Sequence, residues 1–401
     1  MILRHFTLLA LFTKETGSVF LHGRYRYHEH RPYKRKEWTA LVQIGKKVSM
    51  VLPMPDGKVH LPLVTTSELR SFRRCKREHH YSYRMGYREI HKAGPLRFGT
   101  AIHKALEVWW SAATLGNIDL AMVAIDANGE IDDFERAKAR AMMMAYHARW
   151  IDAEFEVLAV EKQFEAPLIN PATGAKSQTY EIGGAIDAIV RMPNGDVFIC
   201  EHKTSGVECG LDSPYWKRLR IDPQISTYFV GARALGYDIK GCLYDVLRKP
   251  AIRPKEIPLM DDDGVKIVLD AEGQRVRTKD GKKWRETGDT KLNYVAQTRP
   301  ETPLEFEVRC LDAIAEDPER HLVRGEVFRL ESDELDAAQD MWDQARELKE
   351  AEKATRFPRN PDACDRWGKM CVYFPVCTNV ASLEDETLYR RTRGKHEELT
   401  E

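Results

Sequence analysis

The sequence lacks the features that would place it in several broad classes. No run approaches the roughly 18 apolar residues needed to cross a bilayer, so no membrane-spanning helix is expected. The short apolar stretch Phe6 to Phe12 is followed by Thr13-Lys14-Glu15 with no small-x-small site, which is unlike a cleaved signal peptide. There is no Gly-x-x-x-x-Gly-Lys-Ser/Thr loop and no internal repeat, which excludes a phosphate-loop motor and a solenoid. Cysteines are few, eight in 401 residues. Half of them (Cys200, Cys209, Cys242, Cys310) are scattered singly, which argues against a disulfide framework and for a reducing, cytoplasmic setting. Net charge is also missing: 62 Lys and Arg balance 62 Asp and Glu, so global charge neither favours nor excludes a nucleic-acid partner.

What remains, at 43% hydrophobic, 31% charged and 9% aromatic residues, describes a globular chain long enough for two or three domains. Charge is unevenly spread, basic over the first hundred residues and acidic from Glu331 to Glu350. Residues 1–60 mix basic tracts such as Arg31-Pro-Tyr-Lys-Arg-Lys36 with turn formers, and a loosely ordered arm is expected there. From Thr66 or Ser67 as cap, Leu69, Phe72 and Cys75 recur at helical spacing with Arg70, Arg73, Arg74, Lys76 and Arg77 on the other faces, a basic amphipathic helix. Further helices are expected from Gly99-Thr100 and over 133–155. Strand-like segments follow at 157–164, 180–192 and 197–202, then a helix over 223–235 and a strand over 241–247. The expected fold is therefore a mixed α/β core over 61–248 with helices on its N-terminal side. A polar insertion over 249–303, with a hairpin near Ala271-Glu-Gly-Gln274, reads as either a surface excursion or a DNA-guiding arm. Residues 304–401 hold a long acidic helix (332–355) and a cysteine-bearing tail.

The chemistry concentrates in one hairpin. Pro193-Asn194-Gly195 makes a three-residue loop that pairs Met192 with Asp196. Counting outward sets Asp187 opposite Glu201, with β carbons roughly 4.5 to 5.5 Å apart. Lys203 projects from the same face as Glu201. Two carboxylates so placed repel unless a hard divalent cation lies between them, and a lysine beside such a cation suits phosphodiester hydrolysis. A solvated hairpin with its charges on an exposed face satisfies the register equally. Further features favour a site: His103 with Glu107 one turn on, Glu161 on the preceding strand, and Gln224 and Tyr228 four apart on the following helix.

Phe98-Gly-Thr-Ala-Ile-His103, Gly184-Ala-Ile-Asp187, Glu201-His-Lys203 and Gln224-x-x-x-Tyr228, in this order, resemble the PD-(D/E)XK nucleases. The likeness is to the RecB-type branch found in RecB and AddB nuclease domains and CRISPR-associated adaptation exonucleases, with Gly-x-x-Asp in place of Pro-Asp. The resemblance implies that His103, Asp187 and Glu201 ligate Mg²⁺ or Mn²⁺, that Lys203 is the catalytic lysine, and that Gln224 and Tyr228 position DNA or the lysine.

Cys364-x6-Cys371-x5-Cys377 does not show the paired C-x2-C spacing of zinc ribbons. Three thiolates need a fourth ligand, for which Cys75 is the candidate. The resemblance extends here as well, since nucleases of this branch carry one cysteine before the core and three after it around a four-iron, four-sulfur cluster. Unliganded buried cysteines and structural zinc are the alternatives.

Basic residues Arg70, Arg73, Arg74, Lys76, Arg77, Arg84 and Arg88, interleaved with Tyr81, Tyr83 and Tyr87, suggest a track for phosphates and unpaired bases; a solvated basic face with core tyrosines is the alternative. Together these readings imply a metal-dependent DNA exonuclease with an iron-sulfur staple. It would act on single strands or duplex ends, alone or with recombination or helicase proteins, in bacteriophage or bacterial recombination, repair or defence. A non-catalytic DNA-binding protein that keeps the fold is the alternative, although such a module has no chemical need for Asp187, Glu201 and Lys203 together.

Overall fold

The computed structural model of the protein describes residues 7–13, 18–29, 31–43, 61–90, 94–111, 115–366, 368–392, 396 and 399. Two units are distinguished, Met1–His60 and Leu61–Glu401. In the first, where a loose arm is expected from sequence, the backbone of Thr7–Thr13, Ser18–Glu29 and Arg31–Gln43 forms a three-stranded antiparallel sheet. The alternation of Tyr25 and Tyr27 with Arg24, Arg26 and His28 is the period-two signal for it. The remainder of 1–60 lies outside the described residues.

The second unit opens on β1 (Leu63–Val64) and α1 (Thr66–Arg74). The cap of α1 is Thr65, one residue before the expected position; its hydroxyl accepts from the Glu68 N–H at 3.1 Å. Cys75 ends the helix in an extended conformation. Helix α2 (Gly94–Trp110) starts earlier than Gly99-Thr100 suggested, since Pro95 suits a first helical turn, so His103 lies mid-helix. Then come α3 (Ile118–Asp126) and α4 (Asp133–Trp150), the latter opened by an Asp132/Glu135 capping box.

Strands β2 (Glu156–Ile169), β3 (Lys176–Arg191) and β4 (Val197–Ser205) lead into α5 (Pro223–Ala234) and β5 (Ile239–Arg248). After the insertion the chain adds α6 (Pro303–Glu316), β6 (Leu322–Val327) and α7 (Glu331–Lys353). The six strands form one mixed sheet, ordered β6-β5-β4-β3-β1 with β2 also on β3. β4 and β5 run parallel, while β2/β3, β3/β4 and β5/β6 are antiparallel.

Alternation along β4 and β5 splits the core into two layers. Phe198, Cys200, Leu243 and Leu247 pack with α2 and α4 through Trp109, Trp110 and Tyr146. Ile199, Cys242, Tyr244 and Val246 pack with α5 and α7 through Phe229, Met341 and Leu348. Helices thus cover both faces, as a sheet containing a parallel crossover requires.

The insertion is a folded β arm of short antiparallel ladders, Glu256–Pro258 with Thr298–Pro300 and Val268–Leu269 with Val295–Ala296. The expected hairpin is present, with the Asp270 N–H donating to the Gln274 carbonyl and Gly273 at φ +78°.

Candidate metal and nucleic-acid site

The hairpin register matches the count from the turn. Met192 N–H donates to the Asp196 carbonyl at 2.8 Å, and the ladder runs from Arg191↔Val197 to Ala188↔Cys200. At the next step, Asp187 and Glu201, the strands part. β2 pairs along β3 from Arg191 to Lys176, so β4 and β1 must share the other edge of β3, and β1 takes Glu181 and Ile182. Residues 183–187 pair with neither, which opens a fork. Gly184 is required at the fork, because a Cβ there would stand 2.7 Å from the Phe164 ring.

A cavity of about 430 Å³ fills this fork, lined among others by His103, Glu107, Glu161, Asp187, Lys203 and Gln224. Asp187 accepts from the His202 backbone N–H at 2.8 Å and faces His103 Nδ1 at 3.7 Å. Burial pushes its carboxyl up, but His103, the hydrogen bond from His202 and Lys203 outweigh that and hold it well below the carboxylate range. Glu201 is 1% exposed, and burial with Asp187 beside it pushes its carboxyl up to about 8. Its Oε1 accepts from Gln224 Nε2 at 3.0 Å and meets the Lys203 ammonium, while Oε2 is buried without a hydrogen-bond partner. An orphaned buried carboxyl oxygen is costly unless a proton or a cation binds it. Burial lowers His103 to about 4, so its ring is neutral at pH 7 with a lone pair available for ligation. Lys203, between both carboxylates, is raised despite burial and stays charged. The site thus offers two carboxylates, an imidazole and a cation at one fork.

Tyr228 is buried on Phe164, and its hydroxyl accepts from Gln224 at 2.7 Å. Gln224 and Tyr228 therefore orient Glu201. Glu161, at φ +46°, falls between Val160↔Ala188 and Lys162↔Ile186 in the β2/β3 ladder, a register that sets it opposite Asp187. Burial, Asp187 and Glu107 raise its carboxyl to about 7.

His202 is the residue that sequence reasoning missed. Its ring lies 3.5 Å from Asp187 and 3.7 Å from Asp245, on the sheet face opposite Glu201 and Lys203. The strand parity of Glu201-His-Lys203 was the available signal. Among the described residues, Cys200, His202 and Asp245 have ligand atoms mutually within 4.8 Å. Arg324 (2.6 Å) and the Tyr146 hydroxyl (2.7 Å) already take the Asp245 carboxylate, so this group is a packed hydrogen-bonded cluster.

Cys75, Cys364, Cys371 and Cys377 come together although they are distant in sequence. Cys371 N–H donates to the Cys364 carbonyl at 2.6 Å. Burial pushes the Cys371 thiol up to about 11, with Glu78, Cys75 and Cys377 adding to it; Cys377 is raised by burial and by Cys75 and Cys364.

The basic track is largely committed to internal contacts. Arg70 pairs with Asp222 at 2.6 Å, Arg74 with Glu78, and Arg84 with Glu68 and Glu352. Arg77 donates to the Phe357 carbonyl at 2.6 Å, and Arg73 is exposed. Tyr81 and Tyr87 are buried with Tyr373 and Tyr389, which corrects their reading as base-stacking groups. Apolar burial of those rings on the tail outweighs any exposed role.

Comparison with known families settles the general identity. The family profile of the PD-(D/E)XK nuclease superfamily matches residues 64–378. The chain belongs to this superfamily. The match contains the fork residues and all four tail-associated cysteines. No curated protein is similar to the chain at a significant level. Among solved structures, the crystal structure of SSO0001 is 14% identical with a TM-score of 0.18, covering 63% of this chain and 85% of that one; at that score the likeness carries no argument. Members of the superfamily are in general metal-dependent hydrolytic nucleases. Among the described residues no helix is long and apolar enough to cross a membrane.

Proposed function

We propose that the protein is a Mg²⁺- or Mn²⁺-dependent DNA exonuclease of the RecB type whose tail is stapled by a four-iron, four-sulfur cluster, serving phage or bacterial recombination, repair or defence. The observation that carries the nuclease reading is the buried, unpartnered Oε2 of Glu201 at the fork beside Asp187, neutral His103 and charged Lys203. A cation held by His103, Asp187 and Glu201 supplies Lewis-acid polarisation of the phosphodiester. Gln224 fixes one Glu201 oxygen and leaves the other free, the His202 N–H fixes Asp187, and the Lys203 ammonium offsets charge that develops on the phosphoryl oxygens. With so many donors already set, binding needs little rearrangement.

A cluster fits the cysteines better than zinc. Their spacing, Cys364-x6-Cys371-x5-Cys377, lacks the paired C-x2-C of zinc ribbons. The all-sulfur donor set is that of an iron-sulfur centre. End-labelled DNA digested in Mg²⁺, Mn²⁺ or EDTA, comparing wild type with Lys203→Ala, tests the enzyme: cation-dependent release of short products by wild type alone is expected. Binding of DNA with no cleavage under any cation would leave only a DNA-binding role.

A further inference from the structure

The β arm between β5 and α6 is anchored more firmly than a tolerated loop. At its root Lys138 Nζ donates to the Pro250 and Ile252 carbonyls, both at 3.0 Å. Buried Glu301 accepts from Lys255 N–H at 3.1 Å and from Arg309 at 2.6 and 2.7 Å. The arm has a small core of its own, with Val268 and Val276 buried. It also leaves the body beside the catalytic fork. Pro95 lines both the fork cavity and a neighbouring cavity formed with Lys249, Ile252, Arg253 and Pro254.

Further along the arm, Arg277 and Trp284 bridge, and Thr278 donates to the Lys283 carbonyl at 2.9 Å, closing a turn with Gly281 at φ +69°. The cations of this region fall into two groups. Arg275 is neutralised by Asp261 at 2.6 Å and Arg285 by Asp289 at 3.1 Å. Arg277, Lys279, Lys282 and Lys283 are exposed, and among the described residues none of the four has an ion pair. The nearby acid, Asp280, already accepts from Lys282 N–H at 3.2 Å and from the Thr278 hydroxyl. Trp284 lies 4.1 Å beneath the Arg277 guanidinium, which limits the freedom of that side chain. With four cations against the single Asp280 carboxylate, this fixed turn keeps a net positive charge of three and is complementary to a polyanion.

We propose that the turn 277–283 is an auxiliary DNA contact that holds the phosphodiester backbone of a strand extending out of the catalytic fork. This rests on the nuclease reading for the identity of the polyanion. It gives the arm a task that the largely paired arginines of α1 do not perform. Contacts of this kind carry no sequence information and act through charge, so they weaken with salt.

The test is a Lys279→Glu/Lys282→Glu/Lys283→Glu variant of the full chain, with a thermal melt as a check on folding. Affinity for long single-stranded DNA is measured in Ca²⁺ against salt. The expected result is a loss of about tenfold or more at low salt, and a dependence of log affinity on log salt that is shallower by about 2, since each lost phosphate contact removes about 0.7 from the slope. A parallel Mg²⁺ digestion should show the loss falling on long strands far more than on oligonucleotides too short to leave the fork. Unchanged affinity and slope, or equal losses on short and long strands, would overturn the proposal. Wild-type cleavage is scored separately, so a wild type that binds through the turn but never cleaves would sink the nuclease reading and leave the arm contact standing.

Discussion

Glu201 and Asp187 divide one proton problem between them. Asp187 is surrounded by His103, His202 and Lys203 and stays ionised, whereas Glu201 is driven up to about 8 by burial and by Asp187. A cation entering the fork must displace the Glu201 proton, so metal affinity should climb about tenfold per pH unit and level off above about 8. Calorimetric titration of Mn²⁺ in two buffers of different ionisation enthalpy should show proton release at neutral pH, and an affinity flat across that range would refute the assignment. The same raised pKa has a stability consequence with a definite sign. The stabilisation is fully present below the ordinary carboxylate value and is lost as pH rises through about 8. Metal-free Glu201→Gln, which cannot ionise, should therefore melt higher than wild type above that pH. It should also lose most cleavage, as should Asp187→Ala. Lys203→Ala should lower the single-turnover rate by roughly 10²-fold while DNA affinity in Ca²⁺ stays near wild type, because the ammonium acts on charge that develops in the transition state. Loss of affinity with an unchanged rate would make Lys203 a phosphate anchor instead.

At the scale of elements, the site depends on how closely α5 lies on the sheet. Gly231 on α5 faces the Phe164 ring so tightly that a Cβ would stand 2.4 Å from it. That contact sets the depth of the helix carrying Gln224 and Tyr228. Gly231→Ala should cost about 1–3 kcal/mol, as overpacking does. It should also reduce cleavage by displacing Gln224 from Glu201; a melting temperature and activity both at wild-type level would show that the approach is not limiting. Much of this was legible beforehand, and for specific reasons. The Pro193-Asn194-Gly195 turn set the register, and the register set which carboxylates meet. The period of 3.6 placed α1, α5 and α7 within a few residues of their ends. What was not legible depended on distant partners. The Arg84 cation could be counted from sequence, but not its neutralisation by Glu68 and Glu352, which arrive from a different turn and from the far end of α7. Likewise α6 and β6 carry weak local signals and owe their place to packing on α4 and β5.

At the scale of the whole molecule, the tail from Thr355 onward returns to the segment that follows α1. Asn360 donates to the Arg74 carbonyl at 2.8 Å across 286 residues of sequence. The buried Tyr373 hydroxyl donates to the Tyr87 carbonyl at 2.7 Å, and Tyr389–Arg391 pairs antiparallel with Tyr87–Glu89. These contacts bring Cys75 to the three tail cysteines but are individually weak, about 1 kcal/mol each. A cluster bonded to all four would tie the chain ends far more strongly, because the loop it closes is long and its closure entropy large. Anaerobically purified protein should accordingly be brown and contain iron and sulfide, and Cys75→Ser should lose both as readily as Cys371→Ser. Stoichiometric zinc without iron would replace the cluster with a zinc site, and unchanged iron in Cys75→Ser would remove Cys75 from the ligand set. With the cluster gone, the tyrosine contacts alone must hold the tail, so protease should gain access to the exposed stretch between Thr355, at φ +49°, and Cys364. The Asp187–Glu201 fork lies on the sheet, and none of the four cysteines lines its cavity. Residual cleavage in the nicked protein should therefore keep the wild-type Mn²⁺ dependence, its amount falling only as fast as the folded fraction.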